Sequence, residues 1–260
     1  MRQLSLDLQF MSAQGRDDFI VGACNRLAAE WIDRWPDWPG QFPALNIVGP
    51  PASGKSHLGA VWQQASDARH LTNLQMADLQ ADLQGNDGIA PDKSGETDKI
   101  TGHMILDQPA PNHGPGQDAW SQEALFHLFN RAAGQHSSIL ILTSEPVSQM
   151  DWHLPDLASR LRAVNVVRLE APDDAVLRGV LEKYFTDRQL AINAPVLDFM
   201  VSRMERSFAA VQIVAGAMDQ RSLAQKRDLT MPLAREIMAD FGADFGADSR
   251  LDFGPDFGEK

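Results

Sequence analysis

Apolar positions along this chain follow two successive patterns. Up to about residue 171, short apolar runs alternate with segments of helical period; after Pro172 only the helical period remains. The runs Ala44–Val48 and His103–Asp107 read as buried strands, with further strands at Arg69–Leu71, Ser138–Thr143 and Val164–Leu169. Between them the spacing predicts helices over 17–34, 55–64, 74–84 and 119–134, the first after a short extended entry and ended by Trp35-Pro36-Asp37-Trp38-Pro39-Gly40. Strands alternating with helices imply a parallel sheet wrapped by helices, the α/β class. The second pattern predicts helices over 173–187, 195–205, 207–224 and 231–239. The expected organisation is therefore an arm over 1–15, an α/β nucleotide-binding domain over 16–171, an all-helical lid over 172–240 and a tail over 241–260.

One motif changes the picture most. Gly49-Pro50-Pro51-Ala52-Ser53-Gly54-Lys55-Ser56 has the spacing of a phosphate-binding loop, and it lies between a predicted strand and a predicted helix, the setting that motif requires. Gly49 and Gly54 let the backbone turn amides toward phosphate oxygens, and the helix that follows adds partial positive charge. Lys55 is expected to reach the β- and γ-phosphates and Ser56 to coordinate Mg²⁺. Asp107, closing an apolar strand, is expected to hold the same ion. Gln108 follows it, where many such ATPases carry a second acid; glutamine orients water but takes no proton, so intrinsic hydrolysis is expected to be weak or absent.

Composition mainly excludes. The formal net charge of −12, with no Lys/Arg run, argues against avid non-specific binding to nucleic acid, which rests on cations displacing counterions from phosphates. The single cysteine, Cys24, rules out an internal disulfide and reads as a packed thiol. No Cys/His spacing suggests a metal site, and neither a signal-peptide core nor a membrane span is present; a cytoplasmic protein is expected. Asp-Phe-Gly recurs at Asp240, Asp244, Asp252 and Asp256, in a stretch too rich in Gly and Asp to build a core, read as a disordered acidic tail.

These residues together resemble the DnaA-type AAA+ family, and within it the shorter Hda-type regulators, over roughly residues 1–240. Phe19, Ile20 and Val21 with Asn25 are similar to the family's adenine-pocket segment, and Gly49–Ser56, with His57 after it, to its Walker A loop. Leu106-Asp107-Gln108 matches Walker B, and Ile141–Ser144 matches sensor 1, with Ser144 as the polar sensor. Asp156–Leu161 resembles the arginine-finger box with Arg160 as the finger, acting in trans on a neighbour's nucleotide; Glu205-Arg206-Ser207-Phe208 resembles sensor 2, with Arg206 facing the nucleotide. Gln3-Leu4-Ser5-Leu6-Asp7-Leu8 looks like the peptide by which such proteins bind the DNA polymerase sliding clamp (β subunit). In that role Gln3 makes polar contacts, Leu4, Leu6 and Leu8 fill an apolar groove, and Ser5 and Asp7 lie between them. The same alternation suits a half-buried edge strand.

The resemblance implies bound ADP or ATP with Mg²⁺, and a negative regulator of replication initiation. That protein is tethered to the DNA-loaded clamp and stimulates ATP hydrolysis by DnaA. The sequence runs out about where the family's DNA-binding domain begins, so sequence-specific DNA binding is not expected, nor is a membrane partner; a homo-oligomer is compatible. Two rival readings are a stand-alone AAA+ ATPase of the helicase-loader type and a nucleotide-locked adaptor that stimulates nothing.

Overall fold

The computed structural model describes residues 15–40, 42–71, 102–107, 120–225 and 227–245. The arm at Gln3–Leu8, Gln108, the 85–99 loop, the expected helix over 74–84 and the tail beyond Phe245 lie outside the described residues. The chain divides into two compact units, one ending at Ala171 and the next beginning at Pro172.

In the first unit β1 (Ala44–Val48), β2 (Arg69–Leu71), β3 (Met104–Asp107), β4 (Ile139–Thr143) and β5 (Asn165–Arg168) form one sheet in the spatial order β2-β3-β4-β1-β5. Every pairing is parallel, with Ala44 opposite Ile139 and Met104 opposite Ile139. A parallel sheet is covered on both faces, and alternate residues serve the two covers. Leu45, Ile47, Ile105, Leu140 and Leu142 share a core with α1 (Arg26–Asp33) and α2 (Lys55–Ser66). Ala44, Met104, Leu106, Ile139 and Ile141 share the other core with α3 (Gln122–Gln135) and α4 (Pro155–Arg162). Each large side chain so buried contributes roughly 1.5–3 kcal/mol. Cys24 is buried, as its surroundings in the sequence suggest.

Two elements of this unit differ from the sequence expectation. The first helix begins at Arg26 and not near residue 17. Asn25 stops the helix from starting earlier: its Oδ1 accepts from the Gly22 amide at 2.8 Å and its Nδ2 donates to the Ile20 carbonyl at 2.9 Å, holding the chain before it out of helix. The second is α4, where Pro155 at the first turn and two C-terminal arginines favour a helix that period alone did not reveal.

The second unit contains α5 (Asp174–Asp187), α6 (Ala194–Val201), α7 (Phe208–Gln225) and α8 (Met231–Phe245), packed around Leu181, Phe185, Met200, Val211, Met218 and Leu233. Asp173 caps α5 by accepting from the Val176 amide at 2.8 Å. α8 runs on through residues 241–245, into the start of the stretch expected as tail. Phe241 packs against the helical core, and Arg221 on α7 pairs with Glu236 at 3.0 Å and with Asp240, so the first Asp-Phe pair is anchored. Among the described residues no helix is long and apolar enough to cross a membrane.

Candidate nucleotide-binding site

The Gly49–Ser56 loop joins the carboxyl end of β1 to the amino end of α2, where open α/β sheets hold their ligands. Gly54 caps α2 with φ +94°, a left-handed conformation that glycine adopts without strain. At Gly49 the demand is space. A Cβ there would lie 2.7 Å from Ser53 Oγ and 2.9 Å from the Leu169 carbonyl oxygen, and the carbonyl belongs to a backbone that cannot retreat. Gly49→Ala is therefore expected to destabilise the protein by about 1–3 kcal/mol and to weaken nucleotide binding. Denaturant titration with and without nucleotide checks both effects.

Lys55 Nζ donates to the carbonyls of Gly49 at 2.7 Å and Pro50 at 2.8 Å, which folds the ammonium over the loop. Burial pushes its pKa down, and Asp107 opposes that shift. Ser56 Oγ donates to Asp107 Oδ2 at 3.3 Å, so the hydroxyl of α2 and the carboxylate of β3 meet as the sequence motifs require. Asp107 is pushed above the usual carboxylate range by burial, with His70, Ser56 and Lys55 opposing in that order. A half-buried carboxylate that resists ionisation gains from a divalent cation, and a hydroxyl plus a carboxylate suit Mg²⁺, which keeps several waters of its own. Ser53 Oγ is buried and has no hydrogen-bond partner among the described residues, a donor free for a phosphate oxygen.

Phe19 is buried with its ring edge-on to His57 at 5.2 Å, which ties the entry segment to α2. Val21 is exposed, and the Asn25 side chain is occupied by backbone, so it shapes this segment and is not free for a base. The His57 imidazole is held below its ordinary value chiefly by burial, against the Gly15 backbone and Asp18; burial also lowers His103. A depressed imidazole protonates more readily in the unfolded chain. The stability it contributes is whole above the unfolded value, about 6.5, and is lost as pH falls below it. Asp107, shifted upward, acts with the opposite sign, losing stability as pH rises. The comparison of wild type with His57→Gln isolates the imidazole. Urea midpoints should fall from about pH 7.5 to about pH 5.5, and the fall should be smaller in His57→Gln.

Ser144 is exposed just past β4, the strand between β3 and β1. Its place depends on a residue the sequence reading missed. Asn46, fully buried in β1, donates to the Ile141 carbonyl at 3.1 Å and Thr143 Oγ1 at 2.9 Å, and its Oδ1 accepts from the Val147 amide at 3.0 Å. It thereby fixes both sides of the turn carrying Ser144. The one available signal was an amide inside the apolar run Ala44–Val48. His70 was missed too: in register with Ile105, it brings Nε2 to 3.9 Å from Asp107 Oδ2. An exposed histidine in a three-residue strand gives no sign of that in sequence.

Arg160 is not with the loop. Its guanidinium lies over the rings of Phe42, at 5.6 Å from the centroid, and Phe126, at 5.1 Å. Phe42 precedes β1, whereas Gly49 follows it, and the intervening strand of five residues is about 13 Å long. Arg160 is therefore at the amino edge of the sheet and the phosphate loop at the carboxyl edge. Arg206, in the second unit, is exposed and paired with Asp174, Nε to Oδ1 at 3.1 Å.

Known proteins agree with both units. Residues 174–238 match the family described as "Hda, lid domain". Domain III of the Thermotoga maritima replication initiation protein DnaA superposes with a TM-score of 0.67 at 19% identity, covering 88% of this chain and 96% of that one. AMPPCP-bound DnaA from Aquifex aeolicus gives 0.63 at 16% identity, over 88% of this chain and 69% of that one. The Thermotoga maritima RuvB Holliday junction branch migration motor gives 0.55 at 10% identity, over 76% of this chain and 61% of that one. The helical unit thus matches the Hda lid family, and the chain as a whole has the fold of DnaA domain III.

Proposed function

We propose that this DnaA-related protein is a negative regulator of replication initiation, cytoplasmic, that binds the DNA-loaded sliding clamp and stimulates ATP hydrolysis by DnaA. The observation that carries this reading is the separation of Arg160 from the chain's own phosphate loop. Seated at the opposite edge of the sheet, over Phe42 and Phe126, that cation does not serve a nucleotide on Gly49–Ser56 of the same chain. AAA+ modules associate head to tail, which carries such an arginine to a neighbour's phosphates. There it offsets the charge that builds on the transferred group, an effect worth about 10³–10⁵ in rate.

The chain's own site holds ADP or ATP in this reading. Lys55 exchanges its loop carbonyls for phosphate oxygens, and Ser53 Oγ donates to another. Ser56 and Asp107 are the residues that would hold Mg²⁺, which neutralises phosphate charge when bound. Aquifex aeolicus DnaA carries AMPPCP on this fold, which supports an adenine nucleotide here. Bound nucleotide organises the chain, while hydrolysis belongs to the partner.

The arm at Gln3–Leu8 supplies the tether, with Leu4, Leu6 and Leu8 as apolar anchors. The Gln3→Ala/Leu6→Ala variant should lose retention on clamp loaded on DNA, by about tenfold or more, while nucleotide affinity stays at the wild-type value. Retention of both activities in the variant would return the arm to an ordinary strand. The helicase-loader reading then gains if the protein turns over ATP alone, and the adaptor reading if it turns over none and stimulates none.

A further inference from the structure

The guanidinium of Arg160 is held by rings, and among the described residues no carboxylate pairs with it. That is an unusual tether for an arginine whose neighbours in sequence, Asp156 and Arg162, are both charged. The rings are in turn built into the unit. Phe42 sits edge-on to Phe129, centroids 6.4 Å apart, and Phe129 is a buried core residue of α3. Phe126 lies one turn earlier on α3. Gln122, one turn before that, accepts through Oε1 from the amides of His153 at 2.8 Å and Leu154 at 3.1 Å. These two residues lead into Pro155, so α3 fixes both the start of α4 and the side chain near its end.

The geometry points to Phe42 as a positioning residue for Arg160, opposite the Phe126 ring. The inference rests on the finger reading above and deepens it. Arginine has a long, freely rotating stem, and immobilising it costs entropy at the moment the cation must meet developing charge. A ring face attracts the guanidinium through its quadrupole without neutralising it. A carboxylate in the same place would hold the arginine as well but would cancel the charge that a neighbour's phosphates need. An aromatic cradle leaves the cation ordered and still available. Phe42 is suited to this because it lies two residues before β1 and its ring packs edge-on against Phe129 of α3, which places it between the sheet and that helix.

The test is single-turnover hydrolysis of DnaA-bound ATP, with clamp-loaded DNA and saturating amounts of this protein. Phe42→Leu keeps the apolar volume and removes the ring face. It should lower the stimulated rate about three- to tenfold, leaving the half-saturating concentration unchanged. Phe42→Tyr should restore the rate. In an Arg160→Ala background, Phe42→Leu should cost nothing more, since the ring acts only through the arginine. Should Phe42→Leu fold poorly by its melting temperature, pentafluorophenylalanine at position 42 keeps the shape and inverts the quadrupole, and the same loss is expected. A wild-type rate for the leucine or pentafluoro variant overturns the inference, as does an equal loss with and without Arg160. Full stimulation by Arg160→Ala alone overturns the finger reading and this inference with it.

Discussion

Lys55→Ala will weaken nucleotide binding by about 100-fold or more, the range for removing one partner of a desolvated charge pair. The ammonium is the one formal cation built into the loop, and both of its hydrogen bonds go to loop carbonyls that keep it poised over the phosphate position. Its pKa, lowered by burial, shows that the loop alone is a costly place for this charge. A bound phosphate reverses that cost, so the affinity lost with the side chain is large. The apo protein, by contrast, should keep its melting temperature or gain slightly, because a half-buried charge has been removed. Calorimetric titration with ADP and ATP, alongside thermal melts with no ligand, reads both effects. An unchanged dissociation constant would mean that Gly49–Ser56 is a turn with a coincidental sequence.

Arg160→Ala will remove stimulation of DnaA ATP hydrolysis by about 10³-fold, the lower end of what a trans-acting arginine supplies. Its own nucleotide affinity and its retention on the clamp should remain as in wild type, because Arg160 occupies the edge of the sheet away from the loop. That combination separates the finger from a structural arginine, whose loss would lower stability and disturb all three readouts together. The assay follows single-turnover decay of DnaA-bound ATP with clamp-loaded DNA. Wild-type decay rates with this variant would leave the protein an adaptor. Loss of clamp retention in parallel would instead point to a folding defect.

Much of the fold was legible because its signals are local. Apolar runs such as Ile139–Thr143 and Met104–Asp107 are wholly or almost wholly buried, and strands covered on both faces of a sheet are near-continuously apolar. The helical period after Pro172 likewise reports burial along one stripe of each helix. What failed were boundaries set by side chains from elsewhere in the fold. The start of α1 depends on Asn25 bonding back to Gly22 and Ile20, and Arg221 of α7 ties Glu236 and Asp240 in the second half of α8. Neither interaction leaves a periodic trace. Helix α4 was hidden for another reason: eight residues give too little period to distinguish a helix from a loop.

The site divides along the same line. Sequence by itself located the candidate phosphate loop, because its motif lies in eight consecutive residues whose glycines, lysine and serine act through neighbouring backbone. It also pointed to Asp107 as the acid sharing an ion with Ser56, although β4 lies between the strand that ends in that acid and the strand that bears the loop. Tertiary structure alone decided that His70 approaches that acid, that Asn46 pins the turn bearing Ser144, and that Arg160 stands on two phenylalanines at the far edge of the sheet. Those residues are separated by tens of positions in the chain. They meet only because the parallel register and the helix covers bring them together, and no local pattern encodes a contact between residues that the backbone joins only through the whole sheet.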